Sequence, residues 1–171
     1  LVIAKQPHEP AAGGRFVWLL GNHELMNAAL DFRYVTDGAL RDFDDAPGVD
    51  PARAAADVPT ELRGRVAALA PGGAYARVFS SQNVLAIVGD TLFAHAGPTA
   101  SWAGRIDAAN RDTRCWLQGA AAAAAPDTVT DNEGPVWTRA WGGDPVDCAA
   151  LSAVLATAGA RRLVVGHTVQ D

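Results

Sequence analysis

The sequence has little cysteine, no basic cluster and no long apolar run, and each shortage argues against a class of protein. Its two cysteines have no C-x-x-C spacing, so we expect a reduced pair and not a disulfide. No apolar run approaches the roughly 18 to 20 residues of a membrane span, and no charged segment followed by an apolar one begins the chain as in a signal peptide. The 14 basic side chains are scattered among 19 acidic ones, which leaves no basic stripe for a nucleic-acid backbone. These shortages favour a soluble, intracellular protein without a membrane or nucleic-acid partner.

What the sequence does contain is enough apolar content for one folded domain. Hydrophobic residues make up 49% and charged residues 19% of the 171 residues, a composition typical of globular proteins. A chain of this length buries roughly 70% of its unfolded surface when it folds. Because the first residue is leucine and the chain stops just after a strand-like run, we expect both ends to be cut from a longer sequence.

Hydrophobic periodicity and the positions of glycine and proline predict strands and helices without internal repeats. Strands are predicted at residues 15–20, 84–88, 91–95 and 162–166, with a hairpin turn at Gly89-Asp90. Helices are predicted at residues 23–30, 60–69, 101–119 and 147–159. The remainder of the segment from 31 to 73 is rich in Asp, Pro, Gly and Ala and is expected to be irregular. The pattern indicates an α/β fold.

Three of the four histidines share one local pattern. His23, His95 and His167 each lie at or just past the end of a predicted strand and near a glycine, in "LLGNHE", "LFAHAG" and "VVGHTV". In layered α/β structures ligands collect outside the carboxyl ends of strands, and glycine lets the backbone come close. Imidazole nitrogens and an amide oxygen can bind Zn, Fe, Mn or Ni, so Asn22, His95 and His167 form a candidate mixed N/O metal site. One histidine in such a turn is more often a hydrogen-bonded turn residue than a ligand, so the hypothesis depends on all three sharing the setting.

Several motifs, in this order, resemble the calcineurin-like metallophosphoesterases of the phosphoprotein phosphatase type. They are "GNHE" followed by "MN" and "DFRYV", then "FAHAG", "GPVWTR" and "VVGHTVQ", and the closest resemblance is to the Shewanella-like protein phosphatases. The segment "RIDAANRDTRCWLQG" adds Asn110 and Trp116 of the family pattern. The resemblance covers the chain from about Arg15 to Gln170. It implies a metallophosphoesterase-type αββα fold, a β-sandwich flanked by helices.

Two motifs of that family do not occur in the sequence. The family's sheet begins with G-D-x-H-G and continues to G-D-x-V-D-R-G, which supply the first metal site, the bridging carboxylate and one phosphate-binding arginine. The resemblance therefore implies that residues 1–171 are a partial phosphoesterase domain, incomplete at the N-terminus, with at most one partial metal site. This stretch alone is expected to be inactive and poorly soluble, whereas the full domain is expected to bind two divalent ions, Mn, Fe or Zn.

The resemblance also implies a role for each matching residue. Asn22, His95 and His167 correspond to ligands of the second metal ion, His23 to the acid that protonates the leaving oxygen, and Arg139 to a phosphate-binding arginine. The implied reaction is hydrolysis of phosphate monoesters on phosphoproteins by a hydroxide that two metal ions activate. An imidazolium gives a poor alkoxide leaving group its proton, and a guanidinium grips two phosphate oxygens. Such a protein is expected in the cytoplasm or in an organelle such as the chloroplast.

Ala96 departs from the H-G-G of the protein phosphatases, because the related dinucleoside tetraphosphatases carry H-A-G. A dinucleoside tetraphosphatase-like hydrolase therefore stays open as an alternative, as does a truncated pseudophosphatase that binds partners without turnover. The "GPVWTR" and "GHTVQ" motifs favour the protein phosphatase. Close to the first motif, Glu24 and Met26 are expected to brace the helix, and Arg33 is expected to form a salt bridge and not a phosphate contact.

Overall fold

The computed structural model describes residues 16–119 and 124–169, which form helices around a small sheet. In these ranges the α-helices are α1 Asn22–Ala28, α2 Arg63–Leu69, α3 Ala74–Phe79, α4 Ala100–Ala103, α5 Ile106–Leu117, α6 Asp127–Thr130 and α7 Cys148–Ala158. The strands are β1 Leu85–Val88, β2 Thr91–Ala94 and β3 Arg162–Val164. Short 3-10 turns lie at Asp37–Ala39, Pro51–Arg53 and Thr60–Leu62. The predicted α/β class is confirmed.

The sheet has the order β1-β2-β3, with one antiparallel and one parallel pair. β1 and β2 form the predicted hairpin, in which Val88 pairs with Thr91 across the turn. β3 returns parallel to β2 and pairs Val164 with Phe93. Three of the four predicted strands are therefore confirmed to within two residues. Because β2 and β3 are parallel neighbours, their carboxyl ends meet at the same edge of the sheet.

The strand predicted at 15–20 is wrong in extent. Among its described residues, 16–20, the run makes one isolated bridge, from Leu19 to Asn83, and the N–H of Leu20 donates to the Asn83 carbonyl at 2.9 Å. Phe16 and Val17 are about half exposed. An apolar run becomes a strand only where a neighbouring backbone follows it along its length, and in the described part of the chain Asn83 alone fills that place.

The helix predicted at 101–119 is divided into α4 and α5. Gly104 ends α4, and Arg105 leaves the helical conformation before α5 begins. Glycine weakens a helix, and the break lets the two pieces bury different faces. Trp102 of α4 is 2% exposed and its indole N–H donates to Asp131 at 2.9 Å. The remaining helix predictions agree with α1, with α7, and with the 3-10 turn at Thr60–Leu62 followed by α2, whereas the short α3 and α6 were not predicted.

Asn110 of α5 fastens that helix to the sheet. Its side-chain oxygen accepts from the N–H groups of Val84 and Leu85, and its amide nitrogen donates to the Leu85 carbonyl at 2.9 Å. Leu85 and Leu117 beside it are fully buried. The helix therefore packs on the face of the sheet that carries the core, and it fixes the hairpin whose end leads to His95.

The helix before β3 has a defined start and end. Asp147 caps α7 by accepting hydrogen bonds from Ala149 and Ala150, and Gly159 ends it in the left-handed conformation. Cys115 and Cys148 are exposed and free, as expected. No helix in the described ranges is long and apolar enough to cross a membrane.

Candidate active site

Three segments of the chain meet at one rim of the sheet. α1 begins with Asn22, β2 is followed at once by His95, and His167 comes shortly after β3. The N–H of Gly166 donates to the His95 carbonyl at 2.9 Å, which ties together the ends of the two parallel strands. This convergence is what the positions of the histidines after the predicted strands indicate.

The side chains of Asn22, His95 and His167, here called the ligand cluster, are in direct contact. Nε2 of His95 lies 2.8 Å from Oδ1 of Asn22 and 3.0 Å from Nδ1 of His167. The two imidazole rings meet edge to face with centroids 4.8 Å apart. Asn22 is buried, and both histidines are partly buried. The structure thus brings together the three side chains that the sequence predicts as metal ligands.

Gly21 gives His95 room beside α1. A Cβ added at Gly21 would lie 2.9 Å from Nδ1 of His95 and 3.1 Å from Oε2 of Glu24, so the imidazole occupies the space a side chain would need. The Glu24 carboxylate accepts a hydrogen bond from the N–H of Gly21 at 2.8 Å and closes the first turn of the helix. Met26 is buried on the same helix. Glu24 and Met26 therefore brace α1, as expected.

His167 stands in the left-handed backbone conformation, with φ of 62°. Residues other than glycine adopt it at some cost, and histidine does so more often than most. With this backbone, the ring of His167 lies against His95 and its carbonyl oxygen lies 3.4 Å from Nη1 of Arg139. The turn after β3 therefore places one residue in contact with both the ligand cluster and the arginine.

The residues after His95 are held by a different motif. The N–H groups of Ala96 and Gly97 both donate to the carbonyl of Pro135, at 2.9 and 3.1 Å. Gly97 has φ of 103°, and a Cβ there would lie 2.6 Å from the ring of Trp141. Ala96 is buried and its methyl group is accommodated. The "HAG" and "GPVWTR" segments are therefore one structural unit.

Both histidines of the ligand cluster have a pKa below the usual imidazole value. Burial lowers the pKa of His95 below the usual imidazole value of 6.5, and the nearby His167 lowers it further, against an opposing effect of Glu24. Burial also lowers the pKa of His167, and the positive charge of Arg139 adds to that effect. Both imidazoles are therefore neutral at neutral pH, which is the form that binds a metal ion.

The ligand cluster could hold one metal ion. Ligands about 2.0 to 2.2 Å from a common ion lie roughly 2.8 to 3.6 Å from each other in octahedral to tetrahedral geometry. The two separations in the structure, 2.8 and 3.0 Å, fall within that range. Among the described residues no group of three or more His, Cys, Asp or Glu side chains is placed to hold an ion. The third donor here is the amide oxygen of Asn22, which those residue types do not include.

A cleft of about 460 Å³ opens beside the ligand cluster. It is lined by Asn22, His23, Tyr34, Trp137, Arg139 and His167. His23 and Arg139, the predicted acid and the predicted phosphate-binding residue, are both exposed there. We call His23, Tyr34 and Arg139 the cleft wall. The cleft thus joins two of the three predicted ligands to both predicted substrate-contacting residues.

Tyr34 and Trp137 also line the cleft, although no role was predicted for either residue from the sequence. The Tyr34 ring is stacked on the imidazole of His23, with centroids 5.4 Å apart and planes 26° apart. Trp137 meets His167 edge to face at 6.5 Å, and its indole N–H donates to the Val129 carbonyl at 2.8 Å. Both lie inside recognised motifs, "DFRYV" and "GPVWTR", and that position is the signal that could have singled them out.

Arg33, the neighbour of Tyr34, forms the salt bridge that was expected. Its guanidinium lies 2.6 Å from the carboxylate of Asp31 and lowers the pKa of that carboxyl. The pair is largely exposed, so its contribution to stability is small. Arg33 is not among the residues that line the cleft.

The chain is similar in sequence to known proteins. No protein-family model matches it. It is 33% identical, over an alignment of 193 residues, to Shewanella-like protein phosphatase 2 of Arabidopsis thaliana, covering 94% of this chain and 49% of that protein. It is 30% identical to an uncharacterized protein of Schizosaccharomyces pombe, covering 92% of this chain and 46% of the relative.

The fold has a counterpart among solved structures. The cold-active protein-tyrosine phosphatase of a psychrophilic Shewanella species superposes with a TM-score of 0.66 at 26% identity. The superposition covers 93% of this chain and 46% of that protein. The chain therefore spans about half the length of the relatives it matches.

Proposed function

Because the chain belongs to the Shewanella-like protein phosphatases within the metallophosphoesterases, we propose that it acts in a metal-dependent phosphoprotein phosphatase that hydrolyses phosphate monoesters. The observation that carries this proposal is the shared cleft, which is lined by Asn22 and His167 of the ligand cluster together with His23 and Arg139. A phosphate ester in that cleft would contact a cation site, a proton donor and a guanidinium at once.

The ligand cluster is proposed to hold one of two divalent ions, Mn, Fe or Zn. Two neutral imidazoles and an amide oxygen suit each of these metals, and the contact distances leave the donors at the spacing that a shared ion requires. Bound divalent ions supply charge neutralisation on the phosphate and a water of lowered pKa. The chain's own contribution is to keep the three donors fixed and the imidazoles neutral.

His23 is proposed to give its proton to the leaving oxygen. It follows Asn22 directly on the first turn of α1, so a substrate near the ligand cluster lies within reach of the imidazole. It is exposed to the cleft, and its ring orientation is limited by the stacked Tyr34. A positioned general acid is worth about 10²- to 10⁴-fold in rate when the leaving group is a poor alkoxide.

Arg139 is proposed to bind oxygens of the substrate phosphate in the cleft. Its Nη1 lies 3.4 Å from the His167 carbonyl and 3.5 Å from Oγ1 of Thr168. Both contacts are long, so they orient the guanidinium without holding it strongly. The planar fork can then bind two phosphate oxygens and offset the charge that builds up on them.

The proposal is tested with the full-length gene product, stripped of metal and reloaded with Mn²⁺, Fe²⁺ or Zn²⁺ singly. We expect metal-dependent release of inorganic phosphate from phosphoserine, phosphothreonine or phosphotyrosine peptides, and loss of this release in His95→Ala. Release of ADP from diadenosine tetraphosphate without peptide turnover would select the tetraphosphatase alternative. Metal binding without turnover of either substrate would select the pseudophosphatase.

A further inference from the structure

A buried arginine lies behind the cleft wall. The side chain of Arg65, on α2, is 7% exposed. Its guanidinium carbon lies 5.1 Å from the ring centre of Phe43 and 5.9 Å from that of Phe32. Arginine is rarely buried this deeply unless its charge is compensated, so its contacts identify what it holds in place.

The hydrogen bonds of Arg65 lead to His23. Nη1 of Arg65 donates to Oδ1 of Asn27 at 2.7 Å, and the amide nitrogen of Asn27 donates to the backbone carbonyl of His23 at 2.8 Å. Nη2 of Arg65 donates to the carbonyl of Ala39. The carboxylate of Asp42 lies 3.8 Å away and offsets part of the charge. One guanidinium thus connects α1 to the segment that follows it in the sequence.

That segment, residues 32–43, carries Tyr34. Its regular structure is a single 3-10 turn at Asp37–Ala39, so no ladder or α-helix fixes its path. Arg65 contacts it near its start at Phe32, in the middle at the Ala39 carbonyl and at its end at Phe43. These contacts replace secondary structure in holding Tyr34 against the imidazole of His23.

We infer that Arg65 is a positioning residue for His23, acting on its backbone through Asn27 and on its ring through the segment that carries Tyr34. The inference rests on the proposed function, in which His23 protonates the leaving group. Arg65 itself does not line the cleft. If Arg65 only stabilised the fold, its loss would slow the turnover of every substrate alike. If it positions His23, its loss should mainly slow the step in which the leaving oxygen is protonated.

The test compares Arg65→Lys with the wild-type full-length gene product on two substrates. Lysine keeps the charge but cannot hold Asn27 and Ala39 at once with one ammonium. We expect kcat for phenyl phosphate, a poor leaving group, to fall about 10-fold or more, and kcat for p-nitrophenyl phosphate to change less than about 3-fold. In a His23→Ala background, Arg65→Lys should add no further loss. Equal losses on both substrates, or full additivity with His23→Ala, would overturn the inference.

Two variants control for folding. Arg63→Lys, on the same helix, changes a guanidinium that bonds to the carbonyls of Val58 and Ala56 and should leave both substrates unaffected. If Arg65→Lys fails to fold, Tyr34→Leu takes its place, because Tyr34 is 61% exposed and its loss should give the same selective effect. Uniform loss in Tyr34→Leu counts against the inference.

A second readout does not need activity. In the metal-free protein we expect the stacked ring of Tyr34 to shift the Cε1–H resonance of His23. Both Arg65→Lys and Tyr34→Leu should move this resonance in the same direction, toward the value of an unstacked histidine. An unchanged resonance in Arg65→Lys overturns the inference whatever the turnover. A shifted resonance in a protein that turns over no phosphate ester supports it and counts against the proposed function alone.

Discussion

The ligand cluster and the cleft wall lie side by side but are built in opposite ways. The cluster side chains are in contact at 2.8 and 3.0 Å, and the backbone around them is held by hydrogen bonds from Gly166 and to Pro135. The wall consists of exposed side chains held by a ring stack at 5.4 Å and by a contact of 3.4 Å. This difference fits the proposed roles, in which the cluster keeps one geometry for a metal ion and the wall meets a variable substrate.

Loss of a cluster residue should have the largest effect, because under the proposed function it removes a metal ligand. His95→Ala in the full-length gene product should weaken metal binding by more than about 10²-fold, the upper range for loss of an outer partner of a ligand. Phosphatase activity should fall to background. Metal content by mass spectrometry and phosphate release measure the two effects, and an active variant with normal metal content would contradict the assignment of His95.

Loss of the acid should separate activity from metal binding. His23→Ala should lower kcat about 10²- to 10⁴-fold while metal content stays near that of the wild type, because the proposed role of the residue is to give a proton and not to bind metal. The comparison with His95→Ala is the control. Equal metal loss in the two variants would show that the two roles have been misassigned.

Loss of the guanidinium should have an intermediate effect. Arg139→Ala should raise KM and lower kcat together, reducing kcat/KM about 10- to 100-fold, since hydrogen bonds to charged groups are worth roughly 1.5 to 3 kcal/mol. Arg139→Lys should not restore activity, because a point charge cannot replace the fork. Recovery of activity in the lysine variant would mean that a positive charge alone is sufficient to bind the phosphate.

Crowding the cluster from behind should have a smaller effect. Gly21→Ala places a methyl group 2.9 Å from Nδ1 of His95, and overpacking of this kind costs about 1 to 3 kcal/mol. Chemical denaturation should show that loss together with weaker metal binding. Gly38→Ala is the matched control, since a Cβ there has no atom within 4 Å. Equal stability of the two variants would mean that His95 moves aside without cost.

The smallest effect concerns pH. Folding keeps His95 and His167 neutral by lowering their pKa below 6.5, so the unfolded chain binds more protons as the pH falls through that value. The unfolding free energy of the metal-free protein should therefore decrease below pH 6.5, by at most about 1.4 kcal/mol per pH unit for each histidine, and level off below the folded pKa values. His95→Ala should reduce the slope, and an unchanged slope would argue against this origin.

The strands and the ligand cluster could be predicted because their signals are local. Apolar runs interrupted by glycine mark β1, β2 and β3, and the histidines that follow β2 and β3 must meet once those strands are parallel neighbours. The break at Gly104 could not be predicted with equal success, because a single glycine is often tolerated within a helix. Its effect depends on the hydrogen bond from Trp102 to Asp131, a residue far along the chain.

The cleft wall was only partly predictable, because its construction is not local. His23 and Arg139 follow from motifs, but the stack of Tyr34 on His23 depends on an irregular segment. That segment is held by Arg65, which on the sequence looks like one of many surface charges on an amphipathic helix. Tertiary contacts fix the positions of such residues, and the hydrophobic periodicity of the sequence does not reveal those contacts.

The two residues after His95 should differ in evolutionary freedom. At position 96 the backbone is ordinary and a methyl group is already accommodated, so either alanine or glycine fits there. At position 97 the backbone has φ of 103° and Trp141 stands 2.6 Å from any added Cβ, so lineages that keep this fold must keep glycine. Alanine at the middle position of H-x-G is therefore compatible with this fold and does not by itself indicate a change of substrate.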